Sequence, residues 1–301
     1  MAEFTREEII GKLTAHAEAK ETKESEESIS TVTTVRREED EETEDEAETQ
    51  APTEESAKTQ ISEQSVSDED VAERTDIEGQ EPSEEDGAKK DQTDVLSFAG
   101  CDLTGLDLSG LDLTELDFTE ANLSEVNLSD ATLTEAVFQK VNLTDAILHE
   151  TCLHETDLRG ANLTRSNFNQ ADLSGSNLTE VELNDTDFSN CNLNEANLSK
   201  LDLHQVKLEG ADLRRANMTE ANLCEMDLSG TNLSRALFVR ANLAGAKLTE
   251  CDLNRSTFKG ANLNKADLTD ARLSVGIYYE ANLEDAILVR AQMKGANLAS
   301  S

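Results

Sequence analysis

Large apolar residues occupy every fifth position from Phe98 to Leu298 without a single insertion. Of these forty-one positions, thirty-one are leucine, seven are phenylalanine, and the others are Met218, Tyr278 and Met293. The residue two places earlier is usually small, the residue between is usually Asp or Asn, and the next two are polar. A helix would spread a period of five around its axis, and a strand would alternate it between faces. The pattern therefore predicts a chain that turns a corner once per repeat, with its large and small residues inside.

The aromatic residues at the inward positions indicate how many repeats make one turn. Six of them are separated by multiples of twenty residues, and the other two are twenty apart and lie half a turn away. If four repeats form one coil, each ring stacks on its counterpart in the next coil, about 4.8 Å away. The predicted aromatic core consists of Phe98, Phe118, Phe138, Phe168, Phe188, Phe238, Phe258 and Tyr278.

These repeats resemble the pentapeptide-repeat family, whose pattern is A(D/N)LXX. The segments ANLSE at 121–125, ANLTR at 161–165 and ADLSG at 171–175 match that pattern as written. The resemblance covers about two-thirds of the chain. It implies an all-β fold, a right-handed quadrilateral β-helix of about ten coils over residues 95–301. It leaves the function open, although some members are acidic rods that mimic DNA and bind DNA gyrase.

Residues 1–20 carry the start signals of a short amphipathic helix. Thr5 and Glu8 can form a capping box, and Phe4 and Ile9 stand at the two positions of a hydrophobic staple. An isolated helix of this length is marginal in water. The segment is therefore expected to dock on a partner or on the open end of the solenoid, or else to fray without a role.

Residues 21–94 are predicted to be an acidic disordered linker. Runs such as REEDEETEDEAETQ at 37–50 have almost nothing apolar to bury and repel themselves. The segment is interpreted as a solubilising tail, with a specific acidic interaction site as the alternative. The whole chain has a formal net charge of −38, which argues against nucleic acid or an anionic membrane as a direct partner.

The two ends of the predicted solenoid differ. Leu106, Leu111 and Leu116 fill positions that are normally small, which predicts a widened N-terminal coil at 95–118. At the other end the repeats continue with no closing helix or proline, so the last inward residues are expected near an open edge. Those residues are Leu283, Leu288, Met293 and Leu298.

The cysteines and the absence of targeting signals favour a cytoplasmic protein. Five cysteines is an odd number, and the chain has neither a secretory signal nor an apolar stretch long enough to span a membrane. Reduced thiols are the simplest interpretation. Cys101, Cys191 and Cys251 fall on small inward positions and are expected to be buried, with no metal implied.

No catalytic, cofactor-binding or metal site is predicted. His149, Cys152 and His154 look like ligands in linear order, but in this geometry all three point outward. His204 and Cys224 share a column in adjacent coils, yet two ligands rarely hold a metal, since structural zinc takes four. The sequence has no glycine-rich phosphate loop and no nucleophile with a nearby base. A surface without pockets is expected, which argues against an enzyme.

Arg215, Arg235 and Arg255 form the first unusual feature of the outer surface. They share one column, called here the arginine column, with three like charges one coil apart. Neighbouring acids offer the simplest explanation for such a column. An acidic partner, or the acidic N-terminal region folding back, is the alternative.

The second unusual feature is a set of apolar residues on the outer surface. The positions on either side of an inward residue are normally polar, but around two inward aromatics, two coils apart, both are apolar. The apolar patch consists of Leu237, Val239, Val275, Ile277 and Tyr279. It favours a non-enzymatic protein–protein interaction scaffold with an unidentified partner. A homodimer through the C-terminal part of the solenoid is the favoured use, and an acidic DNA mimic that binds gyrase is the alternative function.

Overall fold

The computed structural model describes residues 4–20 and 96–299. The chain divides into two units, of which the first combines Met1–Ala19 with Val95–Ser301 and the second is Lys20–Asp94. The predicted acidic linker lies outside the described residues.

Residues 96–299 form a β-helical solenoid in which each bridge joins residues twenty places apart. Within this range every strand is a single bridge residue, and the parallel bridges run from Ser97 to Asn297. Backbone hydrogen bonds follow the same step, so that Leu103 N–H donates to the carbonyl of Asn122 at 2.8 Å. Four bridge positions fall in each twenty residues, which makes one coil of four short sides.

Tight turns make the corners between these sides. The N–H of Ala121 donates to the carbonyl of Phe118 at 2.9 Å and closes one such turn around Glu120, whose φ is 58°. Positive φ recurs at the corner positions, with values between 54° and 73°, as at the third residue of a type II turn. Side chains at these corners point away from the core. Val275, with φ 59°, is a β-branched residue in a conformation that such residues rarely adopt.

Where Asp or Asn precedes an inward residue, its side chain commonly satisfies the turn that follows. The Oδ1 atom of Asp102 accepts hydrogen bonds from the N–H of Thr104 at 3.1 Å and from its hydroxyl at 2.6 Å. These bonds lower the pKa of Asp102 because they favour its charged form. Asparagines in the same column also bond from coil to coil, as Asn142 Nδ2 donates to Asn122 Oδ1 at 2.9 Å. The Asp or Asn of the repeat therefore has a structural role at the corners where it occurs.

The inward residues form one continuous apolar core that includes three stacks of aromatic rings. All eight rings are at most 1% exposed. Phe258 lies between Phe238 and Tyr278, with ring centroids 4.6 Å and 5.0 Å away and interplanar angles of 9° and 11°. The stacks are Phe98–Phe118–Phe138, Phe168–Phe188 and Phe238–Phe258–Tyr278.

Two cysteines at small inward positions are buried thiols. Cys191 Sγ donates to the carbonyl of Phe168 at 2.8 Å, and Cys251 Sγ donates to that of Leu228 at 2.9 Å. Burial raises the pKa of both thiols to about 12, so they stay protonated at neutral pH. The expectation of burial is wrong for Cys101, which is half-buried because it belongs to the first coil and has no coil beneath it.

Helix α1 spans residues 6–20 and begins with a complete capping box. The N–H of Thr5 donates to Glu8 Oε2 at 2.7 Å, and the N–H of Glu8 donates to Thr5 Oγ1 at 3.2 Å. These bonds satisfy backbone donors at the start of the helix and fix its first turn.

The apolar side of α1 covers the N-terminal end of the solenoid. Ile9 is 1% exposed within the core, and the ring of Phe4 meets Phe98 edge-on with a centroid distance of 5.9 Å. The guanidinium of Arg6 donates to the carbonyl of Asp107 at 2.5 Å. The atypical leucines of the first coil belong to the same apolar core as Ile9 or pack against it; they are Leu96, Leu106, Leu111 and Leu116. The sequence left two docking sites open for this helix, a partner protein and the end of the solenoid. In the structure α1 docks on the N-terminal end of the solenoid.

Gly276 occupies a small inward position because the neighbouring Tyr278 needs the space. A Cβ atom at Gly276 would lie 2.6 Å from Cε2 of the tyrosine ring and 3.0 Å from its hydroxyl oxygen. Gly276→Ala is expected to lower the free energy of unfolding by about 1–3 kcal/mol, the usual cost of overpacking a core. In a Tyr278→Leu background the same change should cost much less, because alanine with leucine is the ordinary repeat. Urea denaturation of the four proteins measures this coupling, and an equal cost in both backgrounds would contradict it.

Candidate interaction surface

The apolar patch lies on one side of the solenoid in its C-terminal third. Leu237 is 40% exposed, Val275 49% and Tyr279 37%, whereas Val239 and Ile277 are half-buried. Bridges pair Leu237 with Thr257 and Thr257 with Ile277, so the apolar side chains stand two coils apart in the same columns. Two coils separate them by about 10 Å.

A rigid part of the core supports the patch. Leu237 and Val239 flank Phe238, and Ile277 and Tyr279 flank Tyr278, so the outward residues are anchored on both sides of stacked rings. The positions of their backbone atoms are therefore fixed before any partner arrives, which lowers the entropic cost of binding.

Tyr279 is the aromatic residue that the patch presents to solvent. A hydrogen bond to the Glu280 carboxylate, together with its negative charge, raises the pKa of Tyr279. The phenol therefore stays neutral at physiological pH and offers both an apolar ring and a polar tip. Such side chains are frequent anchors at protein interfaces.

Cations of the solenoid commonly pair with an acid one coil earlier in the chain. Lys207 lies 3.2 Å from Asp187, and Lys247 lies 3.2 Å from Asp227. Eight such pairs occur among the described residues. A step of twenty residues thus neutralises much of the positive charge of this surface.

The arginine column departs from this arrangement. Arg215 pairs with Glu195, but the residue one coil before Arg235 is Arg215, and the residue one coil before Arg255 is Arg235. Neither Arg235 nor Arg255 has an ion pair to any residue of 96–299, and Lys259, which follows Val239 in its column, has none there either. Neighbouring acids therefore account for one of the three arginines.

A shallow cleft of about 350 Å³ lies at the start of the arginine column. Its lining consists of Asn194, Arg214, Arg215, Ser234 and Arg235. Arg214 is held by Asp212, with Nη2 and Oδ2 2.5 Å apart. The expectation of a surface without pockets is wrong here, because long arginine side chains from adjacent coils enclose a space that short polar residues would leave open.

The structure shows further exposed apolar residues that the sequence analysis did not identify. Ile147 is 44% exposed, Ile287 46% and Val289 51%. Ile287 and Val289 flank Leu288 just as Leu237 and Val239 flank Phe238, so the same signal identifies them. Leu288 and Leu298, which were expected near an open edge, are 37% and 40% exposed.

The histidines considered as ligands have separate partners. His149 Nδ1 lies 2.9 Å from the carbonyl oxygen of Asn169, and His154 Nδ1 lies 2.9 Å from the hydroxyl of Ser174. Within 4–20 and 96–299, no three His, Cys, Asp or Glu side chains are grouped so that they could hold a metal. In the same ranges, no helix is both long and apolar enough to cross a membrane.

Two family models match the repeats. The model described as Pentapeptide repeats (8 copies) matches residues 97–134, 121–160 and 236–274. The model described as Pentapeptide repeat region matches residues 161–238. Together they span 97–274 without a gap, which is more than half of the chain. No curated protein matches the chain.

Several solved structures match this chain over most of their own length. HetL, a pentapeptide repeat protein involved in heterocyst differentiation regulation in Nostoc sp. strain PCC 7120, is 30% identical; the match covers 68% of this chain and 92% of HetL, with a TM-score of 0.34. Rfr23 from Cyanothece 51142 is 28% identical over 36% of this chain and 85% of Rfr23, with a TM-score of 0.27. QnrB1, a plasmid-mediated fluoroquinolone resistance protein, is 15% identical over 65% of this chain and 88% of its own, with a TM-score of 0.45.

Proposed function

Because the chain belongs to the pentapeptide-repeat family, we propose that it is a non-enzymatic scaffold that binds a protein through the apolar patch. In this proposal about ten four-sided coils hold the patch on a rigid surface. The observation that carries the proposal is the cluster of exposed apolar side chains that stand in register on a mostly polar and charged surface, anchored on both sides of stacked core rings. A rimmed apolar cluster of this kind usually marks an interface.

Burial of the patch would supply the main driving force for binding. Apolar surface removed from water contributes about 25 cal/mol per Å². Tyr279 and Leu237 are the two best anchors, because each exposes more than a third of a large side chain to solvent. Polar neighbours such as Thr257 would form the rim.

The occupant is either a different protein or a second copy of this chain. Self-association into a homodimer through the C-terminal part of the solenoid is favoured by the general frequency of twofold dimers. It would double the mass measured by light scattering. The positive charges of Arg235, Arg255 and Lys259 beside the patch favour a different protein.

The double substitution Leu237→Asp and Ile277→Asp is expected to abolish partner binding while leaving the solenoid folded. Both changes place a carboxylate at the centre of the patch, and both sites point away from the core. The measurement is affinity capture from a lysate of the source organism with full-length protein, analysed by mass spectrometry. Far-UV circular dichroism should be unchanged.

Ile147→Asp is the matched control for this experiment. Ile147 is 44% exposed, similar to Leu237, but it lies in earlier coils and on the opposite side of the solenoid. Proteins retained by the wild type and by this control should be lost from the double variant. An identical set of captured proteins for all three, together with a monomeric wild type, would remove the proposed role of the patch.

The second candidate function is that of an acidic DNA mimic that binds DNA gyrase. The net charge of −38 favours it, as do acids repeated one coil apart, such as Glu115, Glu135 and Glu155. The arginine column interrupts any continuous phosphate-like surface. A supercoiling assay with purified gyrase separates the two functions, since a scaffold of the first kind has no effect at micromolar concentration.

A further inference from the structure

Three cations surround the apolar patch, and none has an ion pair to a described residue. They are Arg235, Arg255 and Lys259. This arrangement is unusual in a chain with 64 acidic and 26 basic residues, in which a cation elsewhere commonly finds an acid one coil away. Six cations of residues 96–299 lack an ion pair to a described residue, and three of them lie beside the apolar patch; the others are Lys200, Lys265 and Lys294.

The cations and the apolar residues alternate on the same surface. Reading along the chain, one coil presents Arg235, Leu237 and Val239, because the residues between them point inward. The next coil presents Arg255, Thr257 and Lys259, and the third presents Val275, Ile277 and Tyr279. A partner that covers the apolar side chains must therefore also cover the three cations.

A second copy of this chain fits the surface poorly. A twofold axis that places one apolar patch on the other lies in the plane of this face and passes through Thr257. When this axis runs along or across the solenoid, Arg255 and Lys259 of one copy face the same two residues of the second copy. Like charges brought together at an interface are strongly unfavourable. The occupant must supply negative charge at these positions.

We propose that this face is a docking site for an acidic segment of another protein. Carboxylates of that segment pair with Arg235, Arg255 and Lys259, and its apolar side chains cover Leu237 and Ile277. The inference rests on the proposed scaffold function and adds the chemistry of the partner. Guanidinium groups suit this role because they bind carboxylates through two parallel hydrogen bonds.

The cleft at the start of the arginine column extends the docking site by one coil. Arg215 and Arg235 both line it, together with the amide of Asn194 and the hydroxyl of Ser234. Arg235, Asn194 and Ser234 offer hydrogen-bond donors to one carboxylate of the incoming segment, whereas Arg215 already pairs with Glu195. Arg214 also lines the cleft, but its guanidinium already bonds Asp212, so its net contribution is smaller.

The test measures binding of synthetic peptides to the full-length chain by fluorescence anisotropy. The first peptide carries glutamates and leucines among serine spacers, the second has glutamine in place of each glutamate, and the third has lysine. The acidic peptide should bind at least about tenfold more tightly than the glutamine peptide, and its affinity should fall as salt is added. The lysine peptide should not bind this face.

Charge reversal with a matched control locates the site. Arg235→Glu with Arg255→Glu should weaken the acidic peptide by about tenfold or more and allow the lysine peptide to bind. The control is Lys200→Glu with Lys265→Glu, which changes the net charge equally and also lies at positive-φ corners, with φ 63° and 60°. The control should bind the acidic peptide as the wild type does. All variants keep the acidic N-terminal region, so its charge is the same throughout.

Two outcomes would overturn the proposal that an acidic segment docks here. One is equal binding of the acidic and glutamine peptides, and the other is binding only of a peptide with phosphoserine in place of glutamate. Capture that depends on Leu237 and Ile277 but not on Arg235 and Arg255 would leave the scaffold function standing and remove this inference alone. Loss of patch-dependent capture altogether would instead remove the scaffold function.

Discussion

Phe258→Ala is expected to lower the free energy of unfolding by about 3–5 kcal/mol, the usual cost of removing a buried aromatic ring. The ring is 0% exposed and lies between Phe238 and Tyr278, so its loss leaves a cavity and two rings without a stacking partner. Coils above and below are held by backbone bonds to this one and cannot collapse into the space. Chemical denaturation followed by circular dichroism measures the change.

Phe258→Leu is the control for this prediction. Leucine is the residue at most other inward positions, so this substitution restores the ordinary repeat and keeps the site filled. The leucine variant should therefore lose much less stability than the alanine variant. Equal losses would mean that the stack itself, and not the filling of the core, determines the stability here.

Ile9→Asp is expected to detach α1 from the solenoid and to cost about 2–5 kcal/mol of docking free energy. Ile9 is 1% exposed, so the substitution removes buried apolar surface and places a carboxylate there without a partner. A free helix of this length is marginal in water, so α1 should lose its helical structure once it separates. Helical circular dichroism should fall, and amide hydrogen exchange should accelerate in the first coil, around Phe98 and Leu103.

Ile10→Asp is the matched control on the same helix. Ile10 is 39% exposed and differs from Ile9 by one position, so the same substitution there should leave docking nearly unchanged. The amides of the last coils should exchange at wild-type rates in both variants. Equal acceleration of the first coil by both substitutions would contradict the role of Ile9 as the anchor of α1.

The sequence predicted which residues point into the core, because a five-residue period of large side chains requires a chain that turns a corner once per repeat with those side chains inside. The family matches support that fold, and the bridges between residues twenty apart show how the coils stack. The seat of α1 was not predictable, because the staple of Phe4 and Ile9 fits any apolar surface. The unusual Leu106 and Leu111 were a signal that the first coil needed a cover.

The repeat pattern could not predict features that depend on how far a side chain extends. Pairing of Arg215 with Glu195 follows from the step of twenty, but the cleft beside it depends on how Arg214 and Arg235 extend from their coils. Gly276 likewise has no explanation in the repeat, since the space it leaves is set by the reach of Tyr278. The positions of the candidate site residues follow from the register, whereas their binding properties depend on contacts between columns.

The different periods of the core and of the surface have a consequence for changes in gene length. Every group of five residues supplies one large inward side chain, so insertion or deletion of five leaves the core filled, although within a stack it separates aromatic rings that lie twenty residues apart. The same event turns every later outward column by a quarter of a coil, which would move Ile277 and Tyr279 away from Leu237 and break the alignment of Arg255 with Arg235. Duplication of twenty residues preserves both periods. Related chains can therefore differ by any multiple of five and still fold, but those that share this docking face should differ within it by multiples of twenty.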